Sequence, residues 1–446
     1  MERVKLSEII HWCKGKINKE FKDLLIEGIS TDSRQIKKGE IFIALKGEKY
    51  DGHNFVEEAF KKGAFAAIVS ENYKGDLGLL IRVKEPLYAL NEISKNYRIK
   101  INMKVITITG SDGKTTTKEI VKNVLSEKFN TIGTIGNFNN QIGLSLSILQ
   151  ANYKTEIGVF EIGMNKKGEV DYLSKICLPN TCVITNIGVA HIGFFKNRRE
   201  IADAKSEVFN NLVSEKDIFL NKDSDFFDYL KRKANTTNIF SIGVKKKADI
   251  NGKIIEEGLD FFIFESSGEK YKMHFWNPSF IYSGLFGIAF GEKFSISKEY
   301  IKDVISEIKP LSGRGEFINN KIFIIDESYN SNPYSLKNSL LSFERKRIEK
   351  KIAILGDMAE LGKFSKFYHQ YIGKLIKNLR INIIFTFGKE SKIISELSGR
   401  GKHFYDIEEL KKELKCKIKR GDAVFIKGSR INKLEQIVDF LKKDFI

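Results

Sequence analysis

The segment KVITITGSDGKTTTKEIVKNVL, residues 104–125, constrains this chain more than any other stretch. An alternating apolar run enters a polar turn flanked by glycines, and Lys-Thr-Thr then opens a helical pattern. Gly110 and Gly113 let the backbone turn tightly and point N–H groups at phosphate oxygens, and the following helix adds its N-terminal dipole. Lys114 is placed to neutralise β- and γ-phosphates, and Thr115 to offer its hydroxyl to Mg²⁺. Ile120, Val121, Val124 and Leu125 fall on one face of the helix, as packing against a sheet requires. The spacing G-x-x-G-K-T is two residues shorter than the common phosphate loop. Strand before and helix after make nucleotide binding the reading, although such a loop names no reaction.

Around this loop the chain reads as α/β in three domains, 1–85, 86–310 and 311–446. Its 446 residues suit about three domains. In the first, GEIFIALKG alternates as a strand, NFVEEAFKKGA as a short amphipathic helix and FAAIVS as a second strand. In the second, KVITIT, EIGVFEI, TCVITNI and DIFLN are buried-type strands separated by helical patterns, the signature of a parallel sheet. Residues 248–275 read as a small antiparallel insertion. In the third, KIFIIDE, KIAILGD, NIIFTFG and AVFIKG are each followed by a helical stretch, which predicts a second open α/β sheet.

Composition excludes several classes. No run of about 18 apolar residues exists, and charges are scattered through MERVKLSEIIHWCKGK, which argues against a membrane span and a secretory signal. Cys13, Cys177, Cys182 and Cys416 form no CxxC or zinc spacing and read as reduced thiols in a cytoplasmic protein. A formal charge of +18 raises nucleic acid as a partner. The lysines are spread along the chain without interleaved aromatics, so the charge reads as solvated surface.

Three further positions suit phosphoryl transfer. Glu161 ends EIGVFEI, at the sheet edge where open α/β folds hold ligands, and a carboxylate there can hold Mg²⁺. His191 follows TCVITNI in a loop. Lys205 shares a helical stripe with Ile201, Ala204, Val208, Phe209 and Leu212. It either snorkels outward or sits where its pKa is lowered. A neutral amine there could add carbon dioxide and become a carbamate.

TGSDGKTT, TIGTIGNFNNQIGLSLSIL, FEIGMNKKGEVDYL, TNIGVAHIGFF with IADAKSEVF, DESYNSNPYSLKNSL, LGDMAELG and KGSR occur in this order along nearly the whole chain. Together they closely resemble the Mur ligases of peptidoglycan synthesis. The resemblance implies a small N-terminal α/β domain for a UDP-sugar, a central ATPase domain and a C-terminal Rossmann-like domain. It implies that Gly110, Ser111, Asp112, Gly113, Lys114, Thr115 and Thr116 bind ATP, with Asn137, Arg314, Tyr329, Asn330 and Asn332. Lys114 and Thr115 would serve ATP and a first Mg²⁺, and Glu161 would be a metal ligand, with His191 and a carbamylated Lys205 helping hold a second. Asn139 and Asn140 would lie near nucleotide and substrate. Ser30, Asp32, Ser33 and Arg34 resemble the uridine-nucleotide platform, Arg34 suiting a diphosphate. Asp357, Lys427, Ser429 and Arg430 would face the incoming dipeptide.

The implied activity is ATP-dependent addition of D-Ala-D-Ala to UDP-MurNAc-tripeptide by a cytoplasmic monomer, without nucleic acid or stable membrane insertion. The preceding ligase of the same scaffold, which adds a diamino acid to the dipeptide precursor, usually carries a DNPR motif, and no such string occurs here. Folylpolyglutamate synthetase shares the phosphate loop but leaves the STDSR…DGHNF domain unexplained. Asp112, Val189 and Ile431 depart from the family's usual residues, while Lys114, Glu161, His191 and Lys205 are all present. No motif distinguishes lysine, ornithine or diaminopimelate as the third residue of the tripeptide.

Overall fold

The computed structural model describes residues 1–136, 138–234 and 236–445, so Asn137 lies outside the described residues. Among these, three large sheets follow one another along the chain. The first runs Lys16–Ile17, Leu80–Val83, Ala66–Ser70, Glu40–Ile43, Gly28–Ser30, and all but its first strand are parallel. The expected helix is the short Val56–Lys61, preceded by a 3₁₀ turn. Its Val56 and Ala59 bury against Phe42, Ala67, Val69 and Leu80.

The central sheet has the order Glu269–Met273, Phe262–Ser266, Ile250–Glu257, Ile239–Gly243, Asp217–Asn221, Thr181–Ile184, Lys104–Thr109, Ile157–Glu161, Thr131–Gly133. Its strands are parallel from Thr131–Gly133 to Ile250–Glu257. Both faces are covered, and Lys104–Thr109 is buried on both sides after its first residue. Ile106 and Ile108 pack with Ile120, Val121 and Val124 on one face, while Val105 joins Leu144, Leu173 and Cys182 on the other. Residues 248–275 are antiparallel as expected but are not a separate insertion. Ile250–Glu257 pairs with Ile239–Gly243 through Ile242 and Ile250, so the hairpins continue the main sheet. Lys104–Thr109 sits between strands reached by going first one way and then the other. That places a crevice at its C-terminal end.

The C-terminal sheet runs Glu316–Asn319, Phe323–Glu327, Ala423–Lys427, Lys351–Gly356, Ile383–Phe387, Gly401–Phe404, parallel except at the first strand. The ends of two of its strands, at Glu327 and Lys427, line the central crevice. Trp276 of the central unit is fully buried against Phe425, and Asn277 bonds Ser339 and Ser342. These contacts hold the two sheets in one orientation.

Among the described residues all four cysteines are free, and burial pushes the Cys177 thiol up to about 12, which keeps it protonated and unreactive. No described helix is long and apolar enough to cross a membrane.

One buried side chain ties the back of the central sheet. Arg98 donates to the carbonyls of Cys177 (3.1 Å) and Leu178 (3.0 Å) and to Asn180 Oδ1 (3.0 Å), which also receives Val105 N–H. Arg98→Met leaves two helix-terminal carbonyls without donors. The expected loss is about 3 kcal/mol, from hydrogen bonds to a charged donor worth ~1.5–3 kcal/mol each. A denaturant titration checks it, and an unchanged midpoint would contradict it.

Candidate active site

The phosphate loop is shaped by the segment that follows the neighbouring strand Thr181–Ile184. Gly110 has φ +147°, and a Cβ there would lie 1.8 Å from Thr185 Oγ1, so no side chain fits. Asn186 Oδ1 accepts the N–H groups of Ser111 (3.0 Å) and Asp112 (2.9 Å), while Thr185 Oγ1 donates to Asp112 O at 2.6 Å. Gly113 takes a left-handed conformation at φ +77°, and the helix Lys114–Leu125 starts directly after it.

Two lysines share one carbonyl behind this loop. Lys114 Nζ donates to Gly110 O at 3.1 Å and Lys205 Nζ at 3.0 Å. Lys205 is fully buried and does not snorkel. Burial, and then the charge of Lys114, hold its ammonium well below the ordinary lysine range, against the opposing pull of Asp112 and Glu161.

Glu161 is buried rather than an exposed strand end, and it is held on every side. Its Oε2 receives Thr115 Oγ1–H at 2.7 Å and its Oε1 receives the Asn139 amide at 2.7 Å. Its own N–H donates to Thr134 Oγ1 at 2.7 Å. The carboxylate, the threonine hydroxyl and the nearby amide form a hard-oxygen donor set. That is the chemistry Mg²⁺ selects when it keeps several waters and takes phosphate oxygens. Among the described residues no cluster of three or more His, Cys, Asp or Glu forms an all-protein metal cage.

The C-terminal unit completes the cleft. Arg314 stacks on the Tyr329 ring at 4.1 Å and donates to Thr115 Oγ1 at 2.6 Å. Asn332 caps the helix Pro333–Arg345 with its Oδ1 and donates its amide to Asp112 Oδ1 at 2.6 Å. Lys427 is buried against Glu327 at 2.9 Å and donates to Asn330 O at 3.0 Å. Arg198 lies between the rings of Phe226 and Tyr334, one from each unit, at 5.0 and 5.1 Å. The cleft so enclosed holds about 760 Å³, enough for a nucleotide.

Most residues expected from the sequence converge on this cleft: Ser111, Asp112, Gly113, Lys114, Thr115, Thr116, Asn139, Glu161, His191, Arg314, Tyr329, Asn330, Asn332 and Lys427 line it. Gly110 and Lys205 stand directly behind them. Others lie elsewhere. Asn140 caps the helix Gln141–Ile148. Asp357 does not line the cleft, and its carboxylate accepts the N–H groups of Lys389, Glu390 and Ser391. Ser429 bonds Ala359 N and Ser331 O, and Arg430 is exposed against Glu435. Ser30, Asp32, Ser33 and Arg34 form their own group on the first sheet. There Arg34 pairs with Asp32 at 2.8 Å and holds its carboxyl down to about 2.

Sequence reasoning missed Asn186, Thr134, Arg198 and Glu360. Glu360, φ +62°, comes from the C-terminal unit to within 2.8 Å of His191 Nδ1, itself at φ +64°. His191, and after it Lys114, hold the Glu360 carboxyl below its ordinary range. Gly193 N–H donates to Glu360 O at 2.8 Å beside the pair.

Comparison with known proteins agrees along the whole length. Three family models match in order: the Mur ligase family catalytic domain over 25–98, the Mur ligase middle domain over 108–278, and the Mur ligase glutamate ligase domain over 313–430. A UDP-N-acetylmuramoyl-tripeptide–D-alanyl-D-alanine ligase of Buchnera aphidicola is 36% identical, covering 95% of this chain and 94% of the relative. This chain belongs to the Mur ligase family. Among solved Mur ligases, MurF from Acinetobacter baumannii superposes with a TM-score of 0.92 at 28% identity, over 99% of both chains. MurF ligase from Thermotoga maritima, solved in complex with ADP, superposes with a TM-score of 0.82 at 27% identity, over 95% of this chain and 99% of that one.

The seat of the C-terminal unit on this Mur ligase cleft is backbone against backbone. A Cβ on Gly193 would lie 2.6 Å from Gly362 N and 2.7 Å from Glu360 O, neither of which can rotate away. Gly193→Ala is expected to lower kcat about 100-fold, the scale of an ångström-sized misplacement, with the melting temperature unchanged. Steady-state kinetics beside a thermal scan checks this, and wild-type turnover would contradict it.

Proposed function

We propose that this Mur ligase joins D-alanyl-D-alanine to UDP-MurNAc-tripeptide at the expense of ATP, as a single chain working in the cytoplasm. One observation carries the chemistry: Thr115, at the mouth of the phosphate loop, is bonded at once by Glu161 of the central sheet and Arg314 of the C-terminal unit. A nucleotide held there meets groups from both units, so phosphoryl transfer and the acceptor share one cleft. The substrates follow from full-length likeness to ligases named for this reaction.

The terminal carboxylate of the tripeptide attacks the γ-phosphorus in line. The new C–O–P bond forms as the bond to ADP breaks, leaving an acyl phosphate. The free amine of D-Ala-D-Ala then adds to the acyl carbon, the C–O bond to phosphate breaks, and the amide forms with loss of one amine proton. Lys114, the loop N–H groups and Arg314 offset the charge that opposes two anions meeting. Thr115 and Glu161 would hold Mg²⁺, which supplies further charge neutralisation on the phosphate oxygens. Asn332 and Arg314 orient the nucleotide from the C-terminal side, and Lys427 with Glu327 fixes the loop behind them. Ser30, Asp32, Ser33 and Arg34 are our candidates for the uridine diphosphate, with the outer edge of the Arg34 guanidinium free of Asp32.

Lys205 has the environment a carbamate needs: a buried amine whose proton is easily lost, beside Lys114. The ammonium first gives up one proton. The neutral amine then adds to carbon dioxide, forming an N–C bond and losing a second proton, and the resulting carbamate oxygens, with His191, would help hold a second Mg²⁺. Lys205→Ala is expected to abolish turnover, and a short-chain carboxylic acid to restore part of it. Full turnover in the unsupplemented variant would overturn the carbamate.

The function itself is tested by phosphate release with paired acceptors. UDP-MurNAc-tripeptide with D-Ala-D-Ala is expected to release phosphate, and UDP-MurNAc-dipeptide with diamino acids is not. Release only in the second mixture would assign the preceding ligase on the same scaffold. Varying the tripeptide then identifies its third residue.

A further inference from the structure

Lys118 lies one turn into the phosphate-loop helix and is completely buried, yet the reaction above makes no use of it. Its ammonium contacts Glu119 and donates to the carbonyl oxygens of Thr134 (3.0 Å) and Gly136 (3.2 Å). Both carbonyls belong to the loop joining the edge strand Thr131–Gly133 to the helix Gln141–Ile148. That same loop grips Glu161 twice, through Thr134 Oγ1 on its backbone N–H and through the Asn139 amide on its carboxylate.

Burying an ammonium is costly unless every proton finds an acceptor. Here the three donors serve one carboxylate and two carbonyls, a task a compact ammonium on a flexible stem can perform. Glu119 does not depend on this lysine, since Lys122 also pairs with it at 2.8 Å. The distinctive work of Lys118 is therefore on the two carbonyls. Gly136, at φ +53°, turns the chain where the second carbonyl meets the ammonium.

We propose that Lys118 is a positioning residue for the ligase reaction: it ties the 134–140 loop to the phosphate-loop helix and so sets Thr134 and Asn139 around Glu161. This rests on the reading of Glu161 as a site carboxylate.

Lys118→Met keeps the stem and removes the ammonium, and it leaves Glu119 with Lys122. Hydrogen exchange of the intact protein, read without substrate, is expected to quicken at least ~10-fold across residues 134–143 while residues 114–125 stay protected. In turnover, kcat is expected to fall about 10-fold with the KM for ATP within about twofold. Glu119→Gln, which spares the two carbonyl bonds, is expected to match wild type in both readouts. Unchanged loop exchange would overturn the proposal, as would a uniform rise in exchange with a lowered melting temperature. If Lys118→Met does not fold, Lys118→Gln carries the same comparison. Because exchange is read without substrate, it decides the role of Lys118 even if wild type fails to join the proposed substrates.

Discussion

The hydroxyl of Thr115 is the joint on which the active cleft depends. It donates to Glu161, 46 residues on, and accepts from Arg314, 199 residues on. A single oxygen thus connects the phosphate-loop helix, the neighbouring strand end and a separate sheet. The remaining cross-cleft bonds reinforce that joint. Asn332 spends its carbonyl oxygen on capping its own helix and its amide on Asp112, so helix position and loop position are set together. The backbone contact at Gly193 then brings Glu360 to His191. A cleft assembled from two units can exclude water and orient reactants only when both are seated, which suits a reaction with a hydrolysable acyl phosphate.

At the phosphate loop two lysines crowd one another. Lys114 and Lys205 lie against one carbonyl, and the charge of each opposes that of the other. Cations held so close, one of them fully buried, favour either a lost proton or an arriving anion. Both outcomes suit the proposed chemistry: nucleotide phosphates would satisfy Lys114, and a neutral Lys205 amine is what a carbamate needs. Asp112 does not face the phosphate site with both oxygens free. The Asn332 amide takes up one of its oxygens.

The sequence made the phosphate loop legible because its chemistry is local: glycines, lysine and threonine lie within six residues, between a strand and a helix. Buried parallel strands were legible for the same reason, as short apolar runs. Asn186 was not, since its role comes from a loop 75 residues away and its own string, TNIG, looks like an ordinary strand exit. The antiparallel strands within 248–275 could be read from alternation, but their attachment to the central sheet could not. It rests on the pairing of Ile242 with Ile250, and register with a neighbour is not written in a strand's own pattern. Lys205 shows the same boundary. Its apolar stripe allowed snorkelling, the commoner outcome, as well as burial, and the side chain instead turns inward to the Gly110 carbonyl. Asp357 was placed at a strand end, where ligands gather, yet the local loop absorbed its carboxylate.

The most direct test of the chemistry follows the oxygen of the activated carboxylate. UDP-MurNAc-tripeptide labelled with ¹⁸O in its terminal carboxylate should pass one labelled oxygen to each inorganic phosphate released with D-Ala-D-Ala. That transfer requires a carboxylate–phosphorus bond, and hence an acyl phosphate. Amide formation accompanied by release of phosphate without label would contradict it.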